Sequence, residues 1–294
     1  MSSLNPWEIR GQADLSAGDQ AATEALAAVC NAAEGLVLKL RISDPPPAPD
    51  ASVRHFLVHA GDTLIGYAGL DGDGPEVEVC GMVHPGWRRQ GIGRALLAAV
   101  VAACRAREVR ELLLICEAAS VGGRALAASV GAPYAFGEDG MELDLDTTAM
   151  PPPGTPTVTL TQAGEAEAAT LAAIEGAVFG DPVARTIERV LENLTDPATQ
   201  YYLAWVDGEM VGSGRLVAAP DRAYLYAFGV LPAYRGRGLG RAFLGALCTR
   251  LRARGTTCLA LEVETENAPA IALYKSCGFQ PITTYGYYAV PLGG

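Results

Sequence analysis

Residues Leu231–Leu244 read LPAYRGRGLGRAFL, and residues His84–Leu97 read HPGWRRQGIGRALL. Each is a basic, glycine-punctuated loop that runs into an apolar stretch of helical spacing. The two loops stand 147 positions apart: Gly238 and Gly91, Arg235 and Arg88, Pro232 and Pro85, Arg241 and Arg94. The same offset joins Glu264 to Glu117 and Gly278 to Gly131, so one gapless register covers about fifty residues. Self-similarity of that length marks two copies of one folding unit.

The pattern around the loops repeats as well. Each copy opens with a helix, expected over residues 20–40 in the first and 164–179 in the second. A pair of strands broken by a glycine-containing turn follows, then a further strand, EVEVCGMV or AYLYAFGV. The loop, a helix (94–108; 241–255), another strand (ELLLICEA; CLALEVET) and a last helix complete the copy. Strand, loop, helix and strand in that order imply a right-handed βαβ crossover with parallel strands, hence a mixed α/β sheet in each copy. The polar, proline-rich stretch LDTTAMPPPGT (145–155) reads as a linker. It predicts a first domain over 1–146, a linker over 147–156 and a second domain over 157–294.

Composition narrows the class. The chain has 294 residues, half of them hydrophobic, which suits two ordinary cores. No run of about 18 apolar residues suggests a membrane span, and MSSLNPWEIRGQAD lacks the basic-then-apolar order of an export signal. A cytoplasmic protein with no membrane partner is expected. The seven cysteines, at 30, 80, 104, 116, 248, 258 and 277, form no Cys-x-x-Cys pair and read as small buried hydrophobes. Three scattered histidines give no metal site, so no metal is expected. The net charge is −11, with 11 basic and 20 acidic residues before residue 151. So acidic a chain is a poor nucleic-acid binder; the charge either suits a cationic small molecule or simply keeps the protein in solution.

The loops themselves suit a phosphate or pyrophosphate. Glycines let backbone N–H groups approach a ligand, the helix N-terminus adds unbonded N–H groups and a partial positive charge, and the arginines add full charge. A Walker loop is excluded because no Gly-Lys-Ser/Thr follows. A dinucleotide fingerprint is excluded because Phe243 and Leu96 stand where its third glycine belongs.

The second half resembles a Gcn5-related N-acetyltransferase (GNAT) domain. The resemblance rests on the strand ending at Val230, the loop Arg235-Gly236-Arg237-Gly238-Leu239-Gly240, and the later run Glu264-Thr265-Glu266-Asn267 with Ala270, Leu273-Tyr274 and Gly278-Phe279. The first half is similar through its loop, register and length. The resemblance implies two tandem acyl-CoA N-acyltransferase domains and acetyl-CoA as cosubstrate. It places coenzyme A against Val230, Arg235, Gly236, Arg237, Gly238, Leu239, Gly240 and Arg241, with the pantetheine between two splayed strands near Asn267. In the first half the equivalent set is Val83, Arg88, Arg89, Gln90, Gly91, Ile92, Gly93 and Arg94.

Acyl transfer to an amine needs a neutral amine, a polarised thioester carbonyl and a protonated leaving thiolate. Tyr274 is the candidate acid, seven residues after the expected N-cap Asn267 and so on its helix face. The alternative is a tyrosine packed in the core, just as Asn267 is either a pantetheine contact or only a cap. Glu262, Glu264 and Glu266 alternate along one expected strand face, and Glu264 is favoured as base. Family members often place a glutamate on the strand before the loop; AYLYAFGV has Tyr224 and Tyr226 instead. In the 147 register Tyr274 becomes Ala127 and Asn267 becomes Ser120. The first half is therefore expected to bind coenzyme A without catalysing, or to persist as a decayed copy kept for its core. The segments 44–50 and 175–185 fall where the family covers its acceptor site. The chemistry expected is acetyl transfer to a primary amine of a small molecule in the second half. The alternatives are a peptide or protein amine acceptor, or an acyl-CoA sensor without turnover.

Overall fold

The computed structural model describes residues 7–40, 52–72, 74–148 and 156–292; the segment 44–50 and residues 149–155 of the expected linker lie outside them. In chain order the elements are β1 (Glu8–Gln12), α1 (Ala17–Glu34), β2 (His55–Ala60), β3 (Thr63–Asp71), β4 (Glu76–Val83), α2 (Ile92–Ala106), β5 (Glu111–Glu117), α3 (Val121–Ser129) and β6 (Tyr134–Asp144). There follow β7 (Thr159–Ala163), α4 (Ala168–Phe179), α5 (Val183–Asn193), β8 (Thr199–Val206), β9 (Glu209–Ala218), β10 (Arg222–Val230), α6 (Leu239–Arg252), β11 (Cys258–Glu264), α7 (Ala268–Ser276) and β12 (Gln280–Val290). The fold class is mixed α/β. Two compact units form: Met1–Glu138 together with Thr283–Gly294, and Asp139–Ile282. The chain leaves the first unit inside β6 and returns to it inside β12.

In the first unit the strand order is β1-β2-β3-β4-β5, followed by the Thr283–Val290 part of β12, which runs antiparallel to β5 from Tyr285 opposite Glu117 to Val290 opposite Leu112. Only β4 and β5 are parallel, as a βαβ crossover through α2 requires. One sheet face packs on α2 through Ile92, Leu96, Leu97, Val100 and Cys104. The other packs on α1 through Leu26 and Cys30 against Leu57, Tyr67 and Met82.

In the second unit the order is the Asp139–Asp144 part of β6, then β11, β10, β9, β8 and β7, with β10 and β11 the parallel pair. Alternation along β8 divides its side chains cleanly. Tyr202 and Ala204 join α6 residues Phe243, Leu244 and Leu247, while Tyr201 and Leu203 join α4 and α5 through Leu171, Ile174 and Val190.

Three local readings change. The first helix stops at Glu34, not residue 40, because Gly35 takes a left-handed φ of 67° and its N–H bonds Asn31 O; Leu36–Leu40 is not helical. Gly180 ends α4 the same way, at φ 84°. Beyond it the segment 175–185 enters a further helix, α5, which continues to Asn193. Val183, Ile187, Val190 and Leu194 carry its helical spacing in the sequence. Finally, β11 ends at Glu264, so Glu266 lies in the following turn and does not share the strand face.

The β9–β10 ladder breaks between Tyr226 and Gly229, where Ala227 and Phe228 oppose the single residue Gly214. Ala227 takes a positive φ of 46°, which marks a β-bulge. The break forces glycine nearby: a Cβ on Gly212 would lie 2.2 Å from Gly229 O. Gly212→Ala is therefore expected to destabilise the protein by about 3 kcal/mol. The exposed helical Gly122 has nothing within 4 Å of its would-be Cβ, and Gly122→Ala should stabilise by about 0.5–1 kcal/mol. Urea unfolding of both variants checks the pair; equal effects would refute the steric account.

Candidate active site

Both basic loops are built alike. α6 begins at Gly238 (φ 76°) and α2 at Gly91 (φ 87°), and neither helix has a side-chain cap. The first-turn N–H groups therefore face outwards with a partial positive charge and no protein acceptor, a ready site for an anion. Arg235 Nε donates to Val230 O at 3.0 Å, and Arg88 Nε donates to Val83 O at 3.1 Å, so each loop is pinned to the end of its strand. Arg241 donates to Ser276 Oγ at 2.8 Å and Arg94 to Ser129 Oγ at 3.4 Å, the same brace in the 147 register. A Cβ on Gly240 would lie 3.0 Å from Leu273, so that glycine lets α6 approach α7. The loops share a left-handed backbone position that carries different residues. Gly236 takes φ 76°, and its counterpart Arg89 holds φ 66° with a full side chain.

The parallel strands part in both units. Pairing of β10 with β11 runs from Arg222–Cys258 to Leu225–Leu261, and pairing of β4 with β5 from Glu76–Glu111 to Val79–Leu114. Beyond these four pairs the strands separate at the very end where the loop and the helix N-terminus lie. In the first unit the opening is a cleft of about 500 Å³. It brings together the predicted Val83, Arg88, Arg89, Gly91, Ile92, Gly93 and Arg94, without Gln90. Cys30, Trp87 and Cys116 also line it. The sequence signal for Cys30 and Cys116 was only their apolar surroundings.

In the second unit Tyr274 is 7% exposed and its ring meets Phe228 of the bulge at 6.3 Å and Phe279 at 5.5 Å. The phenol makes no hydrogen bond among the described residues. Burial, reinforced by Cys277, pushes its pKa up to about 12, since a phenolate is poorly solvated there. Asn267 caps α7 as expected, its Oδ1 accepting from Ala270 N–H at 3.2 Å. Glu264 is exposed at the end of β11, its carbonyl accepting from Asn267 N–H at 2.9 Å.

The acetyltransferase (GNAT) family model matches residues 27–132 and 170–279. This chain belongs to the GNAT family. It is an N-acetyltransferase by that membership. A mycothiol acetyltransferase of Thermobispora bispora is 34% identical over 287 residues, covering 89% of this chain and 92% of that one. One from Streptomyces avermitilis is 32% identical over 242 residues, covering 77% and 76%. Among solved structures, a GCN5-related N-acetyltransferase from Sphaerobacter thermophilus is similar with a TM-score of 0.81 at 22% identity, over 99% of this chain and 97% of that one. A tandem GNAT protein from the clavulanic acid biosynthesis pathway has a TM-score of 0.73 at 22% identity, over 98% and 99%.

The two units of this acetyltransferase share the basic loop, its brace and the parted strands, and differ in the side chains and the ladder around them. The β3–β4 ladder runs from Gly66–Val83 to Asp71–Glu78 without a break, so the first unit has no bulge there. Ala127, fully buried, stands in the place of Tyr274. Glu117, the counterpart of Glu264, is 8% exposed and accepts the Val37 N–H at 2.7 Å. The segment after α1 is held over this end of β5. Tyr285 donates to Val37 O at 2.9 Å, and Lys39 Nζ lies 3.2 Å from Glu138 and 2.6 Å from the Tyr287 hydroxyl.

Because burial favours the neutral phenol, Tyr274 should stay protonated until the pH nears 12. Ultraviolet difference titration of the wild type against Tyr274→Phe reads this directly; an ionisation assigned to Tyr274 below pH 10 would contradict its burial.

Proposed function

We propose that the protein transfers the acetyl group of acetyl-CoA directly to a primary amine of a small molecule, with the chemistry in the second unit. The observation that carries this reading is the meeting of three features there: the parting of β10 and β11, the bulge at Ala227–Phe228, and the unbonded buried phenol of Tyr274. The pyrophosphate of coenzyme A lies on the first turn of α6 and the arginines of the loop. The pantetheine lies between the parted strands, near Asn267. A backbone N–H freed by the bulge stabilises negative charge on the thioester oxygen.

The amine attacks the carbonyl carbon as a carbon–nitrogen bond forms and the carbon–sulfur bond breaks. Glu264, through water, takes the amine proton. Tyr274 gives its proton to the departing sulfur and regains one from solvent. Burial makes the phenol a weak acid, and the same exclusion of water makes a departing thiolate a stronger base, so both change in the direction that keeps the proton transfer feasible. The relatives named mycothiol acetyltransferase support a small-molecule acceptor over a protein one.

The first unit, with its open cleft and its alanine at position 127, holds a second coenzyme molecule without turning it over. Tyr274→Phe should lower kcat about 10²–10⁴-fold while coenzyme binding persists, measured by thiol release from acetyl-CoA across a panel of amines. An unchanged kcat rules out Tyr274 as the acid. Calorimetry should find two coenzyme sites per chain, and one after Gly91→Asp with Gly93→Asp. A single site in the wild type, lost with Gly238→Asp, would leave the first cleft without a cofactor role.

A further inference from the structure

Two arginines of the second unit lie near Glu175, Arg189 on α5 and Arg215 on β9, and among the described residues only Arg189 is bonded to a carboxylate. Arg189 of α5 sits 2.7 Å from Glu175 and 2.8 Å from Asp181, so two carboxylates hold it. Glu175, 2% exposed, is thereby engaged; burial raises its pKa and Arg189 opposes the rise. Arg215 of β9 has no ion pair and no hydrogen bond among the described residues. The ring of Tyr226 lies against it, its centroid 4.4 Å from the guanidinium carbon. Burial works against its charge, with Tyr201, Tyr226 and Glu175 opposing that effect and Arg189 reinforcing it. A half-buried guanidinium with a ring face, and with Glu175 acting on it only through space while bonded to Arg189, is partly compensated and keeps its hydrogen-bond donors for an anion.

Its position gives that charge a use. In the ladders Arg215 stands directly between Tyr201 of β8 and Tyr226 of β10. Its neighbour Leu216 belongs to the core on α6. Alternation therefore puts Arg215 on the opposite face, with Tyr201, under α4 and α5. Tyr226 immediately precedes the bulge residue Ala227. At strand spacings of about 4.8 Å across and 3.3 Å along, the Arg215 and Ala227 backbones are about 6 Å apart. Tyr201 adds a second donor, because its hydroxyl accepts from Asn193 Nδ2 at 2.9 Å and keeps its own proton. On β10 this face carries Tyr224 and Tyr226 and no carboxylate.

We infer that Arg215 is an acceptor-binding residue, and that the acceptor is a short amine carrying an anionic oxygen group, carboxylate or phosphate, two to four bonds from its nitrogen. The inference rests on the reading that the second unit hosts the transfer, and it sharpens the acceptor class. A simple cationic amine leaves the donors of Arg215 without an anion beside the reaction centre and gains nothing from them. A zwitterion places its anion on Arg215 and Tyr201, and its nitrogen towards the bulge and the exposed carboxylate of Glu264.

The test is equilibrium binding by calorimetry with saturating coenzyme A, which cannot react. β-Alanine is compared with β-alaninamide, and O-phosphoethanolamine with ethanolamine, in the wild type, Arg215→Lys and Arg215→Met. At least one anionic probe should bind about 10–100-fold more tightly than its uncharged-tail partner, the range of a charge-assisted hydrogen-bond pair. Arg215→Met should erase the difference and Arg215→Lys retain part of it. The responding pair identifies the anion. The same panel with acetyl-CoA should show the preference in KM more than in kcat. Equal binding within both pairs, no binding by any of the four probes, or a preference that survives Arg215→Met overturns the inference. If Arg215→Met unfolds, as read by its Tm, the Lys variant carries the test, because an unaltered preference there removes the need for a guanidinium fork. A preference without any thiol release would retain the anion site and sink the transferase reading. Thiol release without a preference would do the reverse.

Discussion

A parallel strand pair that stops bonding after four residues leaves backbone N–H and C=O groups facing a gap, and such groups are costly unless something satisfies them. That constraint shapes each unit. β10 and β11 part after Leu225 and Leu261, β4 and β5 after Val79 and Leu114. In both cases an uncapped helix N-terminus stands at the mouth of the gap. An extended ligand with an anionic end meets both needs, since it can bond strand backbone along its length and place its charge on the first helical turn.

From this shared frame the units diverge by small, local changes. The second adds one residue to β10, and the bulge carries Phe228 against the Tyr274 ring. The first keeps a regular ladder, replaces the phenol with a buried alanine, and ties Glu117 to the backbone of the segment after α1. A carboxylate bonded to a backbone N–H is a structural group, whereas Glu264 is exposed and carries no such bond. The divergence is chemical and leaves the architecture intact, because the residues that hold strand, loop and helix together are the ones the two halves share.

Much of the site was legible in the sequence because its demands are local. Gly91 and Gly238 are needed for left-handed backbone, and Asn267 caps the helix that follows it; a neighbour or two settles each case. The bulge was not legible. Ala227 holds a positive φ through its pairing with β9, while Gly212 must lack a side chain because Gly229 O approaches it. Arg215 was equally silent, since its want of a bonded carboxylate depends on Glu175 and Asp181 both turning to Arg189. Helix α5 is masked in the sequence for a different reason: Gly180, Asp181 and Pro182 interrupt the helical spacing before it resumes at Val183.

By itself the sequence determined the duplication, the βαβ unit with its basic, glycine-punctuated loop, and the absence of the phenol from one copy. These are statements about residue type and spacing within one stretch of chain. Only the tertiary structure decided that the last strand, Thr283–Val290, completes the first unit beside β5, and that residues 139–144 belong to the second beside β11. Strand partners are chosen by which edge is open and which side chains fit across it, and those contacts join residues far apart in the chain. No local pattern encodes them.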